Sequence, residues 1–340
     1  MSTTAGVEQI AVPAVGCGEL TYQPIVDWAR LPRPWELGEV TGVATDSQDR
    51  VFVFSRTEHP LLVFDADGRF LHSWGEGQFK RPHGIFIDPN DAVYCTDDLD
   101  HTVRKFSPEG DLLLTLGESG CPSDTGAKSV DYRNIRRAGP PFNFPTNLAT
   151  SPDGELYVTD GYGNARVHKF SADGNLLCSW GEAGPGPGQF RVPHGIAVHR
   201  NGTVFVADRE NSRIQLFSPD GIFLDAWNDV ARPCQLYIDA RNHIYVAELG
   251  YRAGVFPGDE MPPDGIGGRV SVFTDSGMLL ARWGGGDHPC DPGDFFAPHG
   301  IWVDSRGDIY VSEVNYTAGI ARGVIGHESH TLQKFVRQHS

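Results

Sequence analysis

Short apolar runs separated by glycine- and aspartate-rich turns recur along the whole chain, and their pattern predicts strands rather than helices. Each copy begins with a proline or a similar residue, a variable residue, and a glycine followed by an apolar residue. An acidic turn, a second β-rich run and a third run ending in phenylalanine follow. The clearest copies begin at residues 81–88, 192–196 and 297–301, and weaker copies begin at 40–43, 144–148 and 232–236. No long stretch has the helical period that would indicate a second domain.

Four short strands repeated about every 40 residues are typical of a propeller blade, so six copies predict an all-β, six-bladed β-propeller. Aligned on the variable residue, the repeats start near 41, 83, 146, 194, 234 and 299. The last copy ends at residues 332–335 without a fourth strand, and a run near residues 20–28 can supply it. We therefore expect an N-terminal strand to close the last blade, with residues 1–19 as an extension and 20–340 as a single domain.

Uneven spacing between the repeats indicates three insertions, at residues 120–141, 249–268 and 315–330. Insertions in a propeller usually build over one mouth of the channel, where ligands bind. Each could equally be a surface loop without functional consequence. The first insertion also carries a basic cluster, Arg133, Arg136 and Arg137, that could form an anion-facing lid.

The variable residue of the repeat is histidine in alternate copies. The series reads Thr41, His83, Thr146, His194, Cys234 and His299. Six blades are spaced by about 60° around the axis, so side chains from alternate blades lie about 120° apart and can meet at one point. Three imidazoles so placed suit zinc and leave a fourth position open, which indicates a catalytic metal site. The alternative, that Pro-x-Gly-Ile is only a folding element, does not account for histidine in alternate copies.

Polar groups that follow the second strand of each blade should face the same mouth. Arg56 and Arg209 stand out because acidic residues outnumber basic ones in this chain, so cations are sparse. A guanidinium can also bind a carboxylate through two hydrogen bonds. Tyr162, which lies between two glycines, could accept or donate a proton there. The alternative for Arg209 is an ion pair with Glu210 or Asp208 on the rim.

The net charge and the cysteine content limit which binding partners and which cellular compartment we expect. The 340-residue chain has 28 lysines and arginines against 44 aspartates and glutamates, a formal net charge of −16. This balance argues against nucleic-acid and anionic-membrane partners, and no apolar run reaches the roughly 18–20 residues of a membrane span. The N-terminal residues lack the basic and apolar regions of a signal peptide, and the six cysteines are far apart, so we expect reduced thiols in a cytoplasmic protein.

Residues 160–166, 192–194 and 207–215 resemble peptidyl-α-hydroxyglycine α-amidating lyase, which is a six-bladed propeller of NHL-type repeats. The resemblance covers the chain from about residue 40 to residue 336 and is strongest in the second to fourth repeats. It implies Zn²⁺ on His83, His194 and His299, Tyr162 as the base for the substrate hydroxyl, and Arg209 and Arg56 flanking the site. It also implies cleavage of a C-terminal α-hydroxyglycine to an amide and glyoxylate.

The chain differs from that family at two sets of residues, which changes what we expect for the bound Ca²⁺ ion and for the substrate. Gly300 replaces an aspartate that binds the family's Ca²⁺, which puts that ion in doubt, and Phe144, Gly163, Phe205 and Leu216 replace its disulfide cysteines. The missing cysteines agree with a cytosolic location. We therefore expect a small-molecule substrate bearing a carboxylate rather than a secreted peptide hormone.

Together these features predict a zinc-dependent carbon–nitrogen lyase similar to a peptidylamidoglycolate lyase. It would cleave an α-hydroxy-amide to an amide and an aldehyde such as glyoxylate. Two alternatives stay open: a zinc-dependent hydrolase or lactonase on the same site, and a non-catalytic NHL-type propeller that binds partners. The lactonase is the poorer fit, because we expect propeller lactonases to use acidic and asparagine ligands.

Overall fold

The computed structural model describes residues 12–255, 262 and 265–338, which form six antiparallel sheets arranged as the blades of a propeller. The first two strands of the described residues belong to blade 6: β1 (Val15–Cys17) and β2 (Leu20–Ile25). Blade 1 contains β3 (Val40–Thr45), β4 (Val51–Ser55), β5 (Leu61–Phe64) and β6 (Phe70–Trp74). Blade 2 contains β7 (Pro82–Ile87), β8 (Val93–Asp97), β9 (Thr102–Phe106) and β10 (Leu112–Leu116). Blade 3 contains β11 (Pro145–Thr150), β12 (Leu156–Asp160), β13 (Arg166–Phe170) and β14 (Leu176–Trp180).

The remaining blades repeat the same order of strands. Blade 4 contains β15 (Pro193–Val198), β16 (Val204–Asp208), β17 (Arg213–Phe217) and β18 (Phe223–Trp227). Blade 5 contains β19 (Pro233–Ile238), β20 (Ile244–Glu248), β21 (Arg269–Phe273) and β22 (Leu279–Gly284). Blade 6 contains β23 (Pro298–Val303), β24 (Ile309–Glu313) and β25 (Leu332–Arg337). Consecutive strands pair within each blade, and the first strands of neighbouring blades contact one another around the channel, so the predicted six-bladed propeller is confirmed.

The N-terminal strand closes blade 6. Strand β2 pairs antiparallel with β25, with Tyr22 opposite Arg337 and Ile25 opposite Lys334, as the sequence predicts. Strand β1 adds a fifth strand outside β2, so residues 15–17, which we assigned to an extension, are part of this sheet. Joining β2 and β25 in one sheet leaves the ring without the open edges of an incomplete blade.

A break in register recurs where the first two strands of each blade begin to pair. It lies between Val40 and Gly42, Pro82 and Ile85, Pro145 and Asn147, Pro193 and Ile196, Pro233 and Gln235, and Pro298 and Gly300. In every blade this irregular segment contains the variable residue of the repeat. A β-bulge releases a residue from the regular alternation and gives its side chain a new direction. The same backbone feature therefore determines where all six variable side chains point.

Glycine follows the variable residue in four blades because the next blade approaches closely there. A Cβ atom on Gly84 would lie 2.6 Å from the carbonyl oxygen of Thr146, and one on Gly195 would clash with the carbonyl oxygen of Cys234. Thr146 and Cys234 are the variable residues of the next blades around the ring. Gly84 and Gly195 are thus required where the inner strand of the next blade comes this close.

Apolar side chains fill the space between neighbouring blades. Tryptophans at the ends of outer strands pack against a turn glycine of the following blade: Trp74 on Gly110, Trp180 on Gly221 and Trp227 on Gly277. Each of these glycines has a positive φ, between 81° and 98°, that other residues rarely adopt. The turns before the outer strands therefore need glycine for their conformation as well as for the space that the indole occupies.

Helices are few and short in the described part of the chain. They comprise α1 (Asn315–Ala318) and 3₁₀ turns at Tyr132–Asn134, Arg209–Asn211 and Ile320–Arg322. The insertions at 120–141 and 315–330 contain three of these four elements, whereas the insertion at 249–268 extends partly outside the described residues. None of the described helices is long and apolar enough to cross a membrane. The six cysteines are all free thiols.

Replacing Tyr22 by alanine should weaken the closure of the ring. The side chain is fully buried, stacks on Trp283 with ring centroids 5.6 Å apart and places its hydroxyl 3.4 Å from that of Tyr245. Removing a buried aromatic side chain costs about 3–5 kcal/mol, so denaturant titration should show a loss of this size in the free energy of unfolding. Val26→Ala, at a 53% exposed position just after β2, should change it by less than about 0.5 kcal/mol. Equal losses in the two variants would contradict this role of β2.

Candidate metal centre

Three histidines from alternate blades meet in the channel. His83, His194 and His299 lie in the irregular segments of β7, β15 and β23, with their ring centroids 4.8–4.9 Å apart. Each offers a ring nitrogen, and these nitrogens all lie within 4.8 Å of one another. All three side chains are buried. Among the described residues, this is the one group of three or more histidine, cysteine or acidic side chains close enough to share a metal ion.

Each imidazole is oriented by a backbone carbonyl of the next blade. Nδ1 lies 2.7 Å from the oxygen of Thr146 in His83, 2.9 Å from that of Cys234 in His194, and 2.6 Å from that of Thr41 in His299. A carbonyl oxygen can only accept a hydrogen bond, so each Nδ1 carries the hydrogen and donates it. Each Nε2 therefore keeps its lone pair. The odd blades, which have no histidine at this position, supply the groups that fix the histidines of the even blades.

The hydroxyl of Tyr162 lies between two of these lone pairs. It is 3.1 Å from Nε2 of His83 and 3.1 Å from Nε2 of His194. The hydroxyl has one hydrogen and can donate it to only one of the two nitrogens. The tyrosine reaches this position from the loop after β12, where a Cβ on Gly161 would clash with the backbone of Pro193.

Burial and neighbouring positive charge keep the imidazoles neutral. Burial lowers the pKa of His83 and His194 well below 6.5. Near His83 the charge of Arg56 lowers the pKa further, and near His194 the charge of Arg209 does so. Burial also lowers the pKa of His299 to about 3. Metal binding requires neutral imidazole, so the three side chains are in the protonation state that a metal needs at neutral pH.

This set of donors fits zinc. Three neutral imidazoles with converging lone pairs provide the three protein ligands of a catalytic zinc site and leave a further position open. Donation from the second ring nitrogen to a carbonyl is the usual arrangement around metal-bound histidine, where it fixes both the tautomer and the ring. The residues present are therefore compatible with a zinc ion, and Tyr162 borders the position it would occupy.

Arg209 is buried beside Tyr162. Its Nη1 donates to the tyrosine oxygen at 3.1 Å, and its Nε donates to Glu210 at 2.7 Å. Burial alone would lower the pKa of Arg209, but Tyr162 and the Glu210 carboxylate outweigh it and raise that pKa. Arg209 forms the ion pair with Glu210 that the sequence offered as one interpretation, and it also contacts Tyr162; its role toward a substrate stays a prediction.

Glu210 is shared by two guanidinium groups. Besides Arg209, it accepts hydrogen bonds from Arg232, at 2.9 Å and 3.1 Å. Burial acts to raise the pKa of Glu210, but the two guanidinium groups outweigh it and lower that pKa. Arg232 is fixed further by the carbonyls of Gly250 and Gly254. This side of the channel thus holds two cations against one carboxylate.

Arg56 comes from blade 1, which lies across the axis from Arg209 in blade 4. Its Nε donates to the carbonyl of Pro82 at 3.1 Å, and its Nη1 donates to Glu39 at 2.7 Å. The buried Glu39 also accepts from the backbone nitrogen of Thr317 at 2.6 Å and from its hydroxyl at 2.8 Å. Arg56 therefore faces the histidines as one half of an ion pair.

The insertions lie at the same mouth of the channel as the histidines. Thr125 of the first insertion donates to the carbonyl of Gly163, next to Tyr162, at 2.5 Å. Thr317 of the last insertion binds Glu39, as described above. An apolar cluster joins residues of blades 5 and 6 with both of their insertions: Cys234, Leu249, Ala253, Phe296 and Ala297, with Ala318 and Ile325 packed against them.

Two arginines of the basic cluster in the first insertion form ion pairs within that insertion, and the anion-facing lid stays a prediction. Arg133 pairs with Asp131 at 2.6 Å, and Arg137 pairs with Asp124. Both carboxylates belong to the same insertion, so two of the three arginines are neutralised within their own loop.

Sequence reasoning missed Glu39, Arg232 and Thr317. Glu39 and Arg232 lie two residues before the variable position of blades 1 and 5, and Arg81 occupies the same place in blade 2. Aligning that column would have shown three charged residues beside the predicted site. Thr317 carried no such signal, because its partner Glu39 is 278 residues away in the sequence.

Comparisons with known proteins agree with this architecture. A family model for the NHL repeat matches residues 142–170 and 190–217, in blades 3 and 4. NHL repeat-containing protein 3 of Homo sapiens is 32% identical over 315 residues, covering 87% of this chain and 82% of that protein. Peptidyl-alpha-hydroxyglycine alpha-amidating lyase 1 of Drosophila melanogaster is 28% identical over 329 residues, covering 82% of this chain and 56% of that protein. A gluconolactonase structure from Xanthomonas campestris has a TM-score of 0.56 at 15% identity, covering 96% of this chain and 98% of that one, which shows a shared fold only.

His299→Gln should reduce the pH dependence of stability in the metal-free protein. An unfolded histidine titrates near 6.5, whereas burial lowers the pKa of folded His299 to about 3. As pH falls, the unfolded state takes up the proton first, so the stabilising contribution is present above pH 6.5 and is lost as pH falls toward 3. From about pH 7.5 to about pH 5 the wild type should lose about 2 kcal/mol more in free energy of unfolding than the variant. Parallel pH profiles from denaturant titration would show that His299 is not held neutral.

Proposed function

The chain belongs to the family of NHL repeat-containing protein 3. We propose that its histidine site is the centre of a metal-dependent carbon–nitrogen lyase. The proposed reaction splits an α-hydroxy-amide, R–CO–NH–CH(OH)–R′, into the amide R–CO–NH₂ and the aldehyde R′–CHO. Glyoxylate is the aldehyde when R′ is a carboxylate. Relatives named as peptidyl-alpha-hydroxyglycine alpha-amidating lyases support this choice of reaction.

The observation that carries the proposal is the position of Tyr162. Its oxygen lies 3.1 Å from the Nε2 atoms of two histidines and accepts a hydrogen bond from the Arg209 guanidinium. A phenol oxygen held by a permanent cation is stabilised when it carries negative charge, which suits a general base. A binding scaffold has no evident need for such a group beside three converging imidazoles.

His83, His194 and His299 would hold the metal, for which we propose zinc. A zinc ion there supplies Lewis acidity toward the substrate's hydroxyl oxygen. In its deprotonated form Tyr162 takes the hydroxyl proton, and the electron pair of that O–H bond forms the carbonyl of the aldehyde. The C–N bond breaks, its electrons pass to the amide nitrogen, and Tyr162 returns the proton to that nitrogen. Atoms and charge balance without water or a redox partner.

The arginines orient the substrate. The guanidinium of Arg209 holds the Tyr162 oxygen in place, and we propose that it also binds the substrate carboxylate. Arg56 lies on the opposite side of the channel with its charge balanced by Glu39. We further propose a cytosolic small molecule as substrate, because the six cysteines are free thiols and the net charge of −16 opposes nucleic-acid and anionic-membrane partners.

Product analysis with the zinc-loaded protein tests the reaction class. An N-acyl-α-hydroxyglycine should yield glyoxylate and the acyl amide in equal amounts, detected by mass spectrometry. In Tyr162→Phe the kcat should fall by about 10²–10⁴-fold with an unchanged zinc content, because a general base typically contributes that factor. Tyr316→Phe, at a 53% exposed position on α1, is the matched control and should keep full activity.

Three results would contradict the proposal. Release of an acid and an alcohol from a lactone or ester, without aldehyde from the α-hydroxy-amide, would identify a hydrolase. Full activity in Tyr162→Phe would remove the proposed base. Inactivity of the zinc-loaded protein toward all of these substrates would favour a binding propeller.

A further inference from the structure

The two sides of the histidine chamber differ in charge. Arg209 and Arg232 share the single carboxylate of Glu210, which leaves one excess positive charge on the side of blades 4 and 5. On the side of blade 1, Arg56 has a carboxylate of its own, that of Glu39. The chamber therefore has one excess cation among these five side chains, although three guanidinium groups surround it.

Burial and several hydrogen bonds fix the side chain of Glu39 in this position. It is 5% exposed, and three hydrogen bonds hold its two oxygens, from Arg56 at 2.7 Å and from the nitrogen and hydroxyl of Thr317 at 2.6 Å and 2.8 Å. The backbone of Arg56 also donates to the carbonyl of Glu39 at 2.9 Å. The carboxylate cannot swing away from Arg56 without breaking its contacts with α1.

We propose that Glu39 determines substrate charge: it neutralises Arg56, so that the site accepts substrates with a single carboxylate and rejects those with a second one. This inference rests on the proposed function for the identity of the substrate. A single carboxylate finds the excess cation beside Arg209. A second carboxylate, carried on the acyl part of the substrate, would meet the Arg56–Glu39 pair, whose negative member repels it.

The proposal concerns a binding preference, so it can be measured without turnover. Two unreactive probes share a glycine carboxylate but differ in acyl charge: N-acetylglycine carries one carboxylate, and N-succinylglycine carries two. Titration calorimetry on the full chain, with and without zinc, gives the affinity of each probe. We expect Glu39→Gln to raise the affinity for N-succinylglycine about tenfold and to change that for N-acetylglycine by less than about twofold.

The variants separate charge from structure. Glutamine keeps the shape of Glu39, and its amide oxygen can still accept from the nitrogen of Thr317. Its NH₂ group replaces the oxygen that accepted from Arg56, so Glu39→Gln removes the charge and releases the guanidinium. Thr317→Val removes only the hydroxyl contact to Glu39 and should leave both affinities unchanged. Adding Arg56→Gln to Glu39→Gln should abolish the gain in affinity for N-succinylglycine. This result would show that the gain comes from the released guanidinium of Arg56.

Three outcomes would overturn the proposal: an equal gain for both probes, no gain for either probe in Glu39→Gln, or the same gain in Thr317→Val. An equal gain for both probes would mean that Glu39 affects the binding of all anions. No gain would mean that Arg56 does not contact the acyl part of the probe. The same gain in Thr317→Val would mean that loosening of α1, rather than the lost charge, raises the affinity. If the lyase assay fails but the two probes still differ in affinity as expected, the proposed function is wrong and the role of Glu39 in selecting substrate charge is retained.

Discussion

The site depends on one hydrogen bond that is repeated three times, from the Nδ1 of a histidine to a carbonyl of the next blade. It fixes the tautomer and the plane of each ring, so the three Nε2 lone pairs converge. Glycine follows all three histidines, and at Gly84 and Gly195 a Cβ would collide with the carbonyl that anchors the preceding imidazole. The geometry of the site is therefore a direct consequence of how neighbouring blades pack.

This arrangement ties each histidine to the neighbouring blade. A blade that presents an imidazole needs a neighbour that presents a carbonyl, and Thr41, Thr146 and Cys234 provide it through their backbones. Closure of blade 6 by β2 matters for the same reason, because the anchor of His299 crosses from blade 6 to blade 1. The ring must be complete before the third imidazole has its partner.

Local repetition made the fold and the convergence of the histidines predictable from the sequence. Six copies of one pattern give the blades, and histidine in every second copy is enough to place three imidazoles around one axis. Contacts between distant, non-repeated segments could not be read in this way. Glu39 and Thr317 are brought together only by closure of the ring, and β1 is too short and too weakly patterned to be recognised. The roles of the histidines, Tyr162 and the arginines stay predictions.

Elemental analysis tests the central claim, that the three imidazoles form one metal centre, most directly. After incubation with zinc and removal of excess, the wild type should hold about one zinc ion per chain, as expected for a three-histidine site. His194→Ala should hold none, while His199→Ala, a buried histidine in the same blade but outside the site, should keep the full amount. A wild type that stays free of zinc, or equal zinc contents in the two variants, would contradict the account.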